Sequence, residues 1–204
     1  MPTRVVTRTA DRRVPSQRGL RTRQKLMDAT IELLGTQSYR DIKVMDIAQA
    51  VGTSPATFYQ YFPDIEGVVL EASELLTKET KAALDDFKDG SWSSDGLPGA
   101  ARLVDAVLDS WRGRLPVVRV LAAVAAEGEP RFAKAYAAAT RPVVRALTAA
   151  TQTTTPHGTG KELVHALVSG LTATAGHENA GSIHGLTKHQ RRRGLARLVH
   201  AVVA

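Results

Sequence analysis

The stretch VGTSPATFYQYF, residues 51–62, holds four of the chain's eight Phe and Tyr residues in twelve positions, with a glycine, a serine and a proline just ahead of them. Upstream, Val44, Ile47, Ala48 and Val51 recur at the spacing of one helical face. Gly52 then supplies the residue that most readily ends a helix in the left-handed conformation. Ser54 is placed to cap the next helix, and Pro55 suits its first position, where no backbone N–H is needed. That third helix is short, 55–62, and Pro63-Asp64 punctuates it. Two short helices joined by a Gly-containing turn predict a helix-turn-helix, whose second helix enters the major groove of DNA.

This geometry divides the aromatic residues by face. Phe58 and Phe62, at i and i+4, point inward and lock the helix onto its neighbours. Tyr59, Gln60 and Tyr61 are placed to reach phosphates. Pro55, Ala56 and Thr57 sit at the tip, where small groups fit thymine methyls and a hydroxyl can bond a base. Thr53 and Ser54, at the start of the helix, and Lys43, before the preceding one, complete the candidate contacts.

The charge pattern points to the same polyanion. Residues 1–25 carry eight basic side chains against Asp11 alone, which equals the whole net charge of +7; the remaining 19 basic and 19 acidic residues balance. The segment 1–18 reads as a basic arm with no helical apolar face, and Arg18 at its end and Arg21 and Arg23 just beyond it are candidate DNA contacts.

Upstream of the turn, Leu26, Ala29, Thr30 and Leu33 form one stripe and Met27, Ile31 and Leu34 an adjoining one, a first helix ending near Gly35. Beyond 63 the pattern stays helical: 65–87, a loop at 88–99, a helix bearing Leu103, Val104, Val107, Leu108 and Trp111, then 116–126, 131–150 with a kink at Pro142, a loop at 151–160, 161–175 and 188–203. The expected fold is all-α, about nine helices with no strand: arm 1–18, helix-turn-helix domain 19–63, and helical domain 64–204.

The run DIAQAVGTSPATFYQYFPDIEGVVLEA, 46–72, resembles the DNA-binding region of the tetracycline-repressor-like (TetR) transcriptional regulators. Ile47, Ala48, Gly52, Ser54, Phe58, Tyr59, Tyr61 and Phe62 match that family's pattern in register. Val51 and Thr53 depart from it, as does Ile65, where a lysine is common. Ile42 and Lys43 stand where a hydroxyl usually starts the second helix, which leaves Asp41 as the expected cap.

The resemblance implies a homodimeric repressor that binds an inverted-repeat operator in double-stranded DNA and is released by a small molecule. It places an effector pocket in the helical domain, with Leu108, Trp111, Leu115, Leu121, Phe132 and Tyr136 as candidate lining. With few charges expected inside, an apolar or amphipathic effector is favoured. The last two helices would form the dimer interface through Leu163, Leu167, Leu171, Leu195, Leu198 and Val199. The cluster KHQRRR, 188–193, reads as a solvated helix start whose charge opposes the helix dipole.

Composition excludes several classes. There is no cysteine, hence no disulfide or thiolate zinc site, in keeping with a cytoplasmic location. No run of about 18 apolar residues offers a membrane span. Six histidines invite a metal reading, but no H-E-x-x-H spacing, G-x-S-x-G or phosphate loop accompanies them. The chain therefore reads as a regulator and not an enzyme, with no metal and no cofactor. Two alternatives stay open: a sequence-neutral nucleic-acid binder driven by the arm, and an all-helical enzyme using its histidines.

Overall fold

The computed structural model describes residues 17–151, 160–178, 182 and 184–204. The arm up to residue 16 and residues 152–159 of the expected loop at 151–160, His157 among them, lie outside them. The described residues form nine α-helices: α1 (Gln17–Thr36), α2 (Val44–Val51), α3 (Pro55–Tyr61), α4 (Ile65–Ala83), α5 (Leu97–Trp111), α6 (Leu115–Ala126), α7 (Pro130–Thr151), α8 (Gly160–Gly176) and α9 (Lys188–Val203).

α1 buries Leu26, Met27, Ala29, Thr30 and Leu34 against α2, α4 and α6. Its buried Thr30 hydroxyl has no water to bond and donates instead to the Leu26 carbonyl at 2.8 Å. Asp41 does not cap α2. The helix begins two residues later than that role requires, and the Lys43 N–H donates to the Asp46 carboxylate at 3.1 Å. Lysine offers no acceptor in return, so only this half of a capping box forms.

α4 is shorter than its periodicity predicts. After Ala83 the chain tightens into a 3₁₀ turn, Asp85–Phe87. The expected loop after it is itself folded, with a 3₁₀ turn at Ser91–Asp95 that buries Trp92. Gly90 makes this approach possible: its φ is +81°, and a Cβ there would lie 2.6 Å from the Ala149 carbonyl carbon in α7. α7 runs as one helix through Pro142.

α4 packs on α5 and α7, α6 on α7 and α8, and α9 on α5 and α8, around one continuous apolar core. Trp111 is wholly buried in it. Its indole N–H donates to the Thr80 hydroxyl at 2.9 Å, which satisfies a polar group that the core would otherwise strand.

The KHQRRR cluster is more than a solvated start to α9. Glu178, its side chain only 1 % exposed, meets Arg192 Nη2 at 2.5 Å and Lys188 Nζ at 2.8 Å. Arg192 also reaches Asp105 at 2.8 Å and Asp109 at 2.9 Å on α5. Three carboxylates therefore offset the cationic helix start. Thr187 and Gln190 add a complete capping box, with hydrogen bonds of 3.3 and 2.8 Å.

Candidate nucleic-acid interface

The turn between α2 and α3 rests on Gly52, whose φ of +70° lets its N–H and that of Thr53 return to the carbonyls of Gln49 and Ala48. Ser54 caps α3 through its hydroxyl, which accepts from the Thr57 N–H at 3.2 Å, and Pro55 occupies the first helical position.

Phe58 and Phe62 are buried, their ring centroids 5.8 Å apart. They fix the rotation of α3 and so decide which residues it presents outward. Tyr59 is 58 % exposed and meets Phe58 edge-on, with centroids 5.6 Å apart. That contact orients the ring while leaving most of it in solvent.

Ser54, Pro55, Ala56 and Gln60 are exposed, and Thr53 and Thr57 are half-buried. The Thr57 hydroxyl lies 3.1 Å from that of Ser54, so the tip of the helix is a small, hydroxyl-bearing surface. Tyr61 is half-buried against the core, and Lys43 is exposed at the start of α2.

Of the three candidate arginines at the start of α1, Arg18 and Arg21 are exposed. Arg23 is engaged within the chain: its guanidinium lies 4.4 Å from the Phe62 ring centroid and pairs with Glu71 of α4 at 2.5 Å. This arginine braces the helix-turn-helix on α4 and is not a free cation.

Other pairs join the α1–α3 unit to the helical body. Arg119 of α6 donates to the Leu34 carbonyl of α1 at 3.1 Å, Arg40 pairs with Glu127, and Tyr39 meets Phe132 edge-on. Within the body, Arg131 Nη2 of α7 lies 2.6 Å from Glu66 Oε1 at the start of α4. Sequence reading missed these partners because most lie dozens of residues apart and carry no shared periodicity.

The six residues expected to line an effector pocket fall in the interior. Leu108, Trp111, Leu115, Leu121 and Phe132 are buried, and none of the six lines the four clefts that open beside Gly35, Leu84, Pro98 and Gly113. Tyr136 is half-buried, its hydroxyl 2.9 Å from that of Thr172. The six interface candidates divide. Leu167, Leu171, Leu195 and Val199 are buried within the single chain, whereas Leu163 and Leu198 are 38 % and 60 % exposed.

Comparison with known proteins agrees with this geometry. Residues 26–72 match the family model described as bacterial regulatory proteins, tetR family, and residues 84–204 match that described as tetracyclin repressor-like, C-terminal domain. The chain is 30 % identical over 100 residues to the HTH-type transcriptional regulator EthR of Mycolicibacterium smegmatis, a match covering 49 % of this chain and 45 % of that protein. It is 33 % identical over 84 residues to the HTH-type transcriptional regulator TcmR of Streptomyces glaucescens, covering 41 % of this chain and 37 % of that protein. The matches thus span less than half the length of these curated relatives. Among solved structures, the fold is similar to that of the transcriptional regulator FadR from Bacillus subtilis in complex with stearoyl-CoA. The TM-score is 0.67 and the identity 14 %, covering 89 % of this chain and 99 % of that one.

Proposed function

The chain belongs to the tetR family of bacterial regulatory proteins, transcriptional regulators with a helix-turn-helix DNA-binding domain, and from that premise we propose that it is a homodimeric repressor released from its operator by a small apolar or amphipathic effector. The observation that carries the DNA-binding part is the surface of α3. Buried Phe58 and Phe62 hold outward a tip of Pro55, Ala56 and Thr57, flanked by exposed Tyr59 and Gln60. The tip suits thymine methyls and base edges, and the flanks suit phosphates.

On this reading Lys43, Thr53, Ser54, Tyr61, Arg18 and Arg21 add backbone contacts, and the arm adds affinity more than sequence choice. Arg23 acts from within, by bracing α3 against α4. The unit 19–63 is the DNA reader, and 64–204 is the effector-binding and dimerisation body. Exposed Leu163 and Leu198 on α8 and α9 support a dimer face, since leucines held in solvent gain by being covered. A two-fold dimer implies an inverted-repeat operator.

Selection of the protein's targets from a random duplex library tests the proposal. The expected product is an inverted repeat with two half-sites. Enrichment of no motif, with retention lost when residues 1–16 are removed, would instead establish a sequence-neutral binder driven by the arm.

A further inference from the structure

We infer that the surface cleft between the C-terminal end of α4 and the middle of α7 binds an amphipathic organic phosphate. The cleft has a volume of about 300 Å³ and is lined by Lys81, Lys88, Arg141 and Arg145, with Leu84 and Pro142 among its apolar lining. The one carboxylate in its lining, Asp85, accepts from Lys88 Nζ at 2.9 Å. Lys81, Arg141 and Arg145 have no carboxylate partner among the described residues.

The charge is locally segregated. Beyond residue 25 the chain carries equal numbers of basic and acidic side chains, yet this cleft gathers four cations around one anion. α7 contains no Asp or Glu anywhere in Pro130–Thr151. Arg141 and Arg145 stand four residues apart on it, a spacing at which like charges repel. Helix-dipole stabilisation explains Lys81, in the last turn of α4, and the pairing with Asp85 explains Lys88. Neither explains two arginines in mid-helix facing the same opening. A bound dianion would relieve their repulsion, and guanidinium groups match the paired oxygens of a phosphate.

Beside the cations, Leu84 is 2 % exposed and Pro142 half-buried, so an alkyl or aromatic portion attached to the phosphate has apolar surface to cover. The nucleic-acid surface is not close. Lys81 lies about 24 Å along α4 from Ile65, at 1.5 Å per residue. None of the six residues proposed for the effector pocket borders this cleft, so the site is separate from that one.

The test uses the full chain without DNA, so its outcome is independent of the repressor reading. Calorimetric titration with octyl phosphate should show one site per chain, at least tenfold tighter than inorganic phosphate, with octanol and octyltrimethylammonium inert. Arg141→Gln with Arg145→Gln should weaken octyl phosphate at least tenfold while leaving the unliganded melting temperature unchanged or raised. Lys81→Gln should weaken it by a smaller factor. No binding of octyl phosphate, equal binding of octyltrimethylammonium, equal binding of inorganic phosphate, or undiminished binding by the double variant would each overturn the proposal.

Discussion

Phe132 of α7 lies edge-on to Tyr39 in the turn between α1 and α2, with ring centroids 5.9 Å apart and planes inclined at 62°. Phe132 was expected to line an effector pocket; its ring instead bears on the unit that carries the recognition helix. Around it, Arg131 pairs with Glu66 and Arg40 with Glu127. α7 therefore touches the turn between α1 and α2 through this ring pair.

Phe132→Ala should lower stability by about 3–5 kcal/mol, the cost of emptying a buried aromatic site. A double-mutant cycle with Tyr39→Ala should show a coupling of about 0.5–1.5 kcal/mol. Urea unfolding of the four proteins measures both, and strict additivity would show that the rings do not support each other.

Tyr59→Phe should weaken operator binding by about 1–2 kcal/mol, the scale of a hydrogen bond to a charged oxygen, with no change in folding. The exposure of Tyr59 motivates the first expectation, and the Phe58 contact, which a phenylalanine would keep, motivates the second. Phe58→Ala should behave oppositely, destabilising the chain by about 3–5 kcal/mol because that ring is buried. Fluorescence anisotropy on operator DNA and thermal melting separate the two; unchanged affinity in Tyr59→Phe would remove the phosphate assignment.

Replacing exposed Leu163 and Leu198 together with glutamate should convert a dimer to a folded monomer in sedimentation velocity at micromolar concentration. Leu167 and Leu171 are poor choices for this purpose. Both are buried within one chain, so a charge there would cost the fold itself. A monomer before any substitution would contradict the dimer proposal.

Acid should loosen the α8–α9 junction. Burial pushes the Glu178 carboxyl up, but hydrogen bonds from Arg192 and Lys188 outweigh it and hold the group below its ordinary value. A depressed carboxylate contributes its stability above the unfolded pKa of about 4.3 and loses it as pH falls through the lower folded value. Glu178→Gln should therefore cost about 2 kcal/mol at pH 7, the worth of a hydrogen bond to a charged group. The gap from the unmodified protein should close as pH falls below about 4. Melting curves across that range check the sign, and a pH-independent gap would refute it.

The sequence by itself determined the α2–turn–α3 arrangement, because every signal there is local. Gly52 ends one helix, Ser54 and Pro55 begin the next, and the i, i+4 spacing of Phe58 and Phe62 sets its buried face. It determined the all-helical class as well, since apolar periodicity needs only a few neighbouring turns to be read. What only the tertiary structure decided are the relations across long stretches of chain. Arg23 looked like a free cation of the arm until Glu71 and Phe62 claimed it, and KHQRRR looked solvated until Glu178, Asp105 and Asp109 surrounded it. Likewise, leucines at one helical spacing divided into Leu167 and Leu195, covered by the chain itself, and Leu163 and Leu198, left bare. Periodicity fixes which face of a helix is apolar, but burial and ion pairing depend on what another helix places opposite it, and that is a property of packing rather than of spacing.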